Sequence, residues 1–462
     1  MLVDLDPTPR HRAATHRAAT DWQCPPDKLY HPRMSERTSP KILHVSQSDR
    51  MGGANRATYR LHRALCEAGS DSKLWTPYKS QDDPTVIPAL RSPMAKLGAQ
   101  IVDFANSRIP RFYPDGNRGN FSPVRLAYGR LSPAVLAEPD IVVLHWVAGG
   151  FLKPSRLVSL GRPLIWQLWD LWPFTGGCHY PGECANYEHA CGPCPALGSR
   201  SAFDLARADF ASRRRGYRDL DLTIVAPSRW IADKARRSAL FGHRRIEHIA
   251  SGVDLGVFRP YDKMLARDIL GLPKDKKIVL FGAFSALSDR RKGYQLIPAV
   301  LEKLAQPPGA EIVLAVFGGS RHPPASEDAK WGLPALHLGR FEDDVAIALI
   351  YAAADVLIAP YLEDNLPFVI LEALACGTPV VAFAAGGIPD AIDHQKNGYL
   401  APVGAAGELA RGIAWVLADP QRHKALCAAA RATAEARFDI RECACRYLDL
   451  CAELTATGRP AS

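Results

Sequence analysis

The residues from 359 to 390 read APYLEDNLPFVILEALACGTPVVAFAAGGIPD, and their types and spacing can hold an anionic, hydroxyl-bearing ligand. The pattern is a strand, an acidic turn, a helix opening at Pro367, a second strand and a Gly-Gly turn. Proline suits a first helical turn because its missing N–H has no intrahelical partner there. The free N–H groups of Phe368 and Val369 then lie at a positive helix end, suited to a diphosphate. Asp364 and Glu372 stand eight residues apart, one before the helix and one inside it, so both can face one ligand and accept hydrogen bonds from its hydroxyls. A carboxylate that only complements the helix dipole would not explain Glu372 or the glycine turn.

Other residues carry chemistry elsewhere. Arg290, Arg291 and Lys292 precede Gly293 shortly after an apolar run and are placed to bind phosphate. Cys178, Cys184, Cys191 and Cys194 follow a C-x5-C-x6-C-x2-C spacing that can close a tetrahedral structural zinc site, with His179 and His189 in reserve. Free thiols and disulfides are the alternative readings. The other seven of the eleven cysteines, Cys445 among them, show no ligand spacing and read as core or surface thiols, and the absence of a secretory signal points to a reducing, cytoplasmic compartment. Two D-x-D strings, at Asp4 and Asp219, read as chance.

The elements that must position these residues alternate twice between strand and helix. Residues 41–46 form a strand, Gly52 and Gly53 a turn, and 54–68 a helix ended by Gly69. Strands follow at 141–145, 163–168, 222–226 and 246–249, apolar throughout as in a parallel sheet covered on both faces. The pattern restarts at 277–281, 312–317, 355–359 and 379–383, and helices over 405–456 close the chain. A chain of 462 residues, 47% hydrophobic and 23% charged, fits two globular domains. The expected organisation is a disordered leader over 1–38 with Met34 as a second start, a first domain over 39–258, a second over 259–438, and a terminal helix and tail over 439–462. Doubly wound units place a ligand in the crevice at the strand ends. The net charge of +9 gathers at 213–215, 234–245 and 290–292. The first two clusters read as solvated helix faces or as a surface for anionic lipid or an anionic acceptor; no nucleic-acid recognition motif accompanies them.

As a set, these segments resemble the retaining glycosyltransferases of family 4, which have the GT-B fold: two Rossmann-like α/β domains facing across a cleft. ACGTPVVA over 375–382 matches the family's donor-site strand, and Glu372 matches its second glutamate. The first glutamate position holds Asp364, with Glu363 beside it. The stretch 249–260, IASGVDLGVFRP, resembles the interdomain segment. By resemblance, Glu372 binds ribose hydroxyls, Asp364 touches the donor sugar, and Lys292 holds the diphosphate, with Arg290 or Arg291 in place of an upstream arginine. Residues 166–180, WQLWDLWPFTGGCHY, look like the colanic acid and exopolysaccharide subgroup, with Trp169 where that subgroup has a histidine near the donor sugar. His145 ends the preceding strand and reads equally as a cleft residue or a structural one.

The resemblance implies transfer of a sugar from a nucleotide sugar to a saccharide or lipid-linked saccharide, without a catalytic metal; the second domain would hold the donor and the basic first domain the acceptor, at a membrane surface where that acceptor is lipid-linked. The candidate catalytic set is Lys292, Asp364, Glu372 and His145. The candidate donor-binding set is Gly52, Gly53, Arg291, Asn365, Phe368, Val369 and Gly387. The alternatives are a sugar-nucleotide 2-epimerase and a nucleotide-sugar-binding protein without turnover. A nicotinamide-dependent dehydrogenase is disfavoured because Gly52 and Gly53 lack the G-x-G-x-x-G spacing.

Overall fold

Short runs of branched apolar residues form two parallel sheets, because such runs can be buried on both faces. The structure is a computed structural model and describes residues 39–113, 121–154, 157, 161–282, 289–304, 311–319 and 335–457. The expected leader over 1–38 lies outside the described residues.

The first sheet contains β1 (Ile42–Val45), β2 (Ser72–Thr76), β3 (Val86–Pro88), β4 (Ile141–Leu144), β5 (Leu164–Gln167), β6 (Leu222–Ala226) and β7 (Arg245–His248). Its order is β3-β2-β1-β4-β5-β6-β7. The second contains β8 (Lys277–Gly282), β9 (Ile312–Phe317), β10 (Ala335–Gly339), β11 (Val356–Ala359), β12 (Val380–Phe383) and β13 (Gly398–Ala401), in the order β10-β9-β8-β11-β12-β13. The strand-to-strand pairings within both sheets are parallel. These are the two doubly wound units the sequence predicts.

Helices of the first half are α1 (Gly52–Glu67), α2 (Pro93–Arg108), α3 (Pro133–Leu136), α4 (Leu205–Tyr217) and α5 (Arg229–Arg237). Those of the second half are α6 (Lys263–Leu270), α7 (Ile297–Glu302), α8 (Asp344–Ala353), α9 (Phe368–Ala375), α10 (Ala406–Ala418), α11 (Pro420–Arg437) and α12 (Ile440–Thr457). No described helix is long and apolar enough to cross a membrane.

Side chains alternate along the first sheet as the pleat requires. Leu43, Val142, Leu144 and Trp166 enter one core, and Ile42, Ile141, Val143 and Ile165 enter the other. The second core belongs jointly to α1 and α12: Leu61 and Leu65 meet Ala444, Tyr447 and Cys451. The terminal helix therefore leaves the second domain and completes the first. The crossing is pinned at Val253, whose N–H bonds Phe438 O and whose carbonyl accepts from Ile440 N–H.

Strand order reverses between β1 and β4 and between β8 and β11. Loops leaving those four strands line one cavity of about 410 Å³ between the domains, a volume suited to a small ligand.

Candidate active site

The second-domain wall is built around a buried carboxylate. Asp364, in the turn after β11, is 6% exposed and accepts from Lys292 Nζ at 2.6 Å and from Arg291 Nη1 at 2.8 Å on the same oxygen. Burial pushes its carboxyl up, but the charges of Lys292 and Arg291 outweigh that and hold it below the usual carboxylate range. Arg291 also donates to Glu363 O at 2.7 Å and to Asp289 at 2.8 Å, and its guanidinium lies 3.9 Å over the Tyr180 ring. A glycine is required next in sequence. Gly293 has φ +73, and a Cβ there would lie 1.7 Å from Pro360 O. Only that close approach brings the basic turn after β8 against the acidic turn after β11.

Phe368 and Val369 open α9 on the cavity wall, and the first N–H groups of a helix have no intrahelical acceptor. Lys292, Arg291 and this helix end therefore converge on one cavity, an arrangement that can hold an anion. Glu372, one turn further along α9, is 5% exposed. It accepts from Tyr351 Oη of α8 at 2.8 Å and from Arg60 Nη1 of α1 at 2.7 Å. Gly52 and Gly53 line the cavity from the first domain, with open space where their Cβ atoms would be.

The first-domain wall after β4 and β5 is aromatic. Trp146, Trp169 and Tyr180 line the cavity. Asp170 anchors Trp146, accepting from its Nε1 at 3.1 Å and pairing at 2.7 Å with Nδ1 of His179, whose ring stacks on Trp146.

Comparison with known proteins agrees with this geometry domain by domain. Residues 51–257 match the model of Glycosyltransferase Family 4, and residues 275–419 match that of Glycosyl transferases group 1. The chain is a glycosyltransferase. D-inositol 3-phosphate glycosyltransferase 2 of Catenulispora acidiphila is 28% identical over 459 residues, covering 91% of this chain and 97% of that one. Among solved structures, sucrose-phosphate synthase from Thermosynechococcus elongatus aligns with TM-score 0.61 at 20% identity, over 90% of this chain and all of that one. Anabaena HepE in complex with UDP-glucose aligns with TM-score 0.56 at 19% identity, over 90% of this chain and all of that one. At these identities the two structures show the fold, which is GT-B.

Several expected site residues of the glycosyltransferase take other places. His145 does not line the cavity. It is 2% exposed, bonded through Nε2 to His44 Nδ1 at 2.8 Å, and stacked on Trp169. Burial pushes it down to about 3, so it is a neutral core histidine. Trp169 takes the cavity position. Asn365 lines the cavity, but its side chain clasps the two domains, accepting from Ser228 Oγ at 2.6 Å and donating to Leu168 O and Trp169 O. Gly386 and Gly387 pack behind the acidic turn: Cβ atoms there would meet Asp364 O and Asn365 O at 1.7 and 1.8 Å. Their role is close approach, not lining. Glu363 faces the first domain, accepting from Gly182 N–H at 3.1 Å.

The four cysteines expected to hold zinc do line one small cavity, as free thiols. Burial raises three of these thiols: Cys178, Cys191 to about 12 and Cys194 to about 11. Among the described residues, no group of three or more His, Cys, Asp or Glu side chains is arranged to hold a metal ion. Cys445, expected as a thiol, is disulfide-bonded.

Of the basic clusters, the exposed arginines of α4 and α5 form the solvated helix faces that one reading expected, and Arg213 departs from it. Arg213 is 2% exposed, stacks 4.5 Å from Trp172 and donates to Thr175 O. Arg236, Arg237 and Arg245 are ion-paired with Asp233, Glu188 and Glu453. Sequence reading missed Arg60, Tyr351 and Asp344 of the glycosyltransferase site. Arg56, Arg60 and Arg63 recur along α1 after the glycine turn, and that arginine stripe was the available signal.

Proposed function

We propose that the protein transfers a sugar from a nucleotide-sugar donor to a saccharide or lipid-linked saccharide, with retention at the anomeric carbon, in exopolysaccharide or cell-surface glycan synthesis. The observation that carries this is the convergence of Lys292, Arg291 and the start of α9 beside Glu372. The two cations and the helix N–H groups receive the diphosphate and stabilise its charge as it leaves. Glu372 accepts from the ribose hydroxyls once Arg60 yields, and Asp364 orients the donor sugar. The bond from C1 to the diphosphate oxygen breaks, and the acceptor oxygen bonds C1 on the same face. The departing phosphate oxygen takes the acceptor's proton, so no separate base is required.

The HepE complex with UDP-glucose supports a uridine nucleotide as the first donor to test. The FTGGCHY segment supports the exopolysaccharide assignment. A second acceptor reading, a phosphorylated polyol, is favoured by Arg50 and Arg56 on the cavity wall and by the name of the Catenulispora relative. A thermal-shift screen of nucleoside diphosphates and nucleotide sugars, followed by transfer assays on neutral saccharides and inositol phosphate, tests both. Binding without transfer to any acceptor would favour a donor-binding protein. A C2-epimerised sugar formed without acceptor would favour an epimerase. With two cations on the diphosphate, turnover should persist in EDTA; immediate loss restored by magnesium or manganese would overturn that mechanism.

A further inference from the structure

α2 is built the wrong way round for a helix that only packs on its own domain. Met94, Leu97, Ile101 and Phe104 recur at helical spacing and form one stripe, and they are 84, 57, 59 and 58% exposed. The buried residues of α2 are the small Ala99 and the polar Asn106, on nearly the opposite side. An amphipathic helix ordinarily turns its large apolar side chains inward. Here they face out, and Phe112, just beyond the helix, extends the patch at 84% exposure.

The helix does not depend on that stripe for its form. Ser92 caps it, accepting from Ala95 N–H at 3.2 Å, and Pro93 opens it. Its inner side is fixed by Asn106, which bonds Leu126 O at 2.9 Å and Leu126 N–H at 3.3 Å. A rigid helix with an exposed apolar stripe is poised for an external apolar phase.

Charge identifies the phase. Between residues 91 and 112 stand four basic residues, Arg91, Lys96, Arg108 and Arg111, and one acid, Asp103. The four basic residues are exposed. Arg108 lies 4.4 Å over the Phe104 ring, so its cation sits at the edge of the stripe. Long basic side chains around an apolar stripe suit a helix lying in a lipid interface, with apolar groups among acyl chains and cations at anionic headgroups.

We infer that α2 and Phe112 seat the protein on an anionic lipid surface. The place in the fold gives this a use, which rests on the acceptor reading above. Val102 and Asn106 pack against Gly150, and Asp103 approaches Gly149; this turn lies just after cavity-lining Trp146. The lipid-facing helix thus adjoins the acceptor wall of the cleft, not the donor wall.

The test is flotation of the full-length protein with vesicles of phosphatidylcholine alone and of phosphatidylcholine mixed with phosphatidylglycerol. Binding is expected to the anionic vesicles and to weaken with salt. Leu97→Gln, Ile101→Gln and Phe104→Gln together should lower it by about tenfold or more. Arg108→Gln with Arg111→Gln should reduce anionic-vesicle binding alone. Both variants should keep the parent's melting temperature and nucleotide affinity. Absence of binding to anionic vesicles, or binding untouched by the apolar variant, overturns the inference. So does lipid-free self-association that the apolar variant abolishes, because a second copy would then cover the stripe. Nucleotide binding is measured separately, so a protein that floats but binds no nucleotide fails the donor reading and leaves this one standing.

Discussion

The two walls of the cleft hold their ligands' places by different physics. The wall after β8 and β11 is ionic: Asp364 is shared by Lys292 and Arg291, and Glu372 is held by Arg60. The wall after β4 and β5 is aromatic: Trp146, Trp169 and Tyr180 line it, Trp146 held by Asp170 and Trp169 backed by the neutral, buried His145. Internal carboxylates hold the cations, and in the proposed reaction a phosphate competes for them. The aromatic wall offers faces that select by shape. One wall should therefore govern whether a donor binds, and the other which acceptor reacts.

The sharpest way to break this contrast is Lys292→Ala. A charge-assisted phosphate contact contributes roughly 1.5–3 kcal/mol, so turnover should fall about ten- to a hundredfold. Calorimetry should show the loss in nucleotide affinity. Unchanged affinity would remove Lys292 from the donor wall.

Arg60→Gln tests whether Glu372 is reserved for the donor. Asp344 and Glu372 would lose a buried partner, and stability should fall by about 1–3 kcal/mol, read as a lower unfolding midpoint. Nucleotide affinity should hold or rise, since the ribose no longer competes with Arg60. A collapse of affinity would instead make Arg60 a donor contact.

Trp169→Ala probes the aromatic wall. Lost ring contacts are worth about 0.5–1.5 kcal/mol and should appear as a raised acceptor KM with donor affinity nearly unchanged. A larger effect on the donor would place Trp169 on the wrong side of the comparison.

The smallest effect is on pH stability. Burial lowers His145 to about 3 and His62 to about 4, and lowers His44 well below its ordinary value. The unfolded chain therefore binds protons first. The histidine contribution is fully present above about pH 6.5 and declines as pH falls toward about 4. Denaturant titrations at pH 7 and pH 5 should show it. His145→Gln should shrink the difference without abolishing it, since His44 and His62 remain, and a difference untouched by it would remove His145 from the effect.

The ionic wall was legible in sequence because its parts lie close together in the chain. The acidic turn, Pro367, Glu372 and the basic turn before Gly293 each carry a local signature. The aromatic wall was less so. His145 and Trp169 are both near the strand ends, and only packing decides which reaches the cavity and which stacks behind. Arg60 lies 312 residues from Glu372 in sequence, and no local pattern joins them. The central strands were plain from their apolar runs. β2, β3, β10 and β13 were missed because each is short, mixed in composition or half-exposed. The terminal helix was read as an appendage because amphipathic spacing shows that a helix packs, not against which sheet.

That last helix changes how the molecule can be made and divided. α12 closes a core whose other members, Leu61 and Leu65 among them, are translated almost four hundred residues earlier. A ribosome finishing residue 258 has therefore not yet produced a complete first domain. Its apolar underside must wait, exposed or chaperoned, until the second domain has emerged and the chain has crossed back. No single cut yields two self-sufficient halves. A fragment ending near residue 258 should aggregate, while the same fragment with residues 439–457 supplied through a flexible linker should stay in solution and give a cooperative melt.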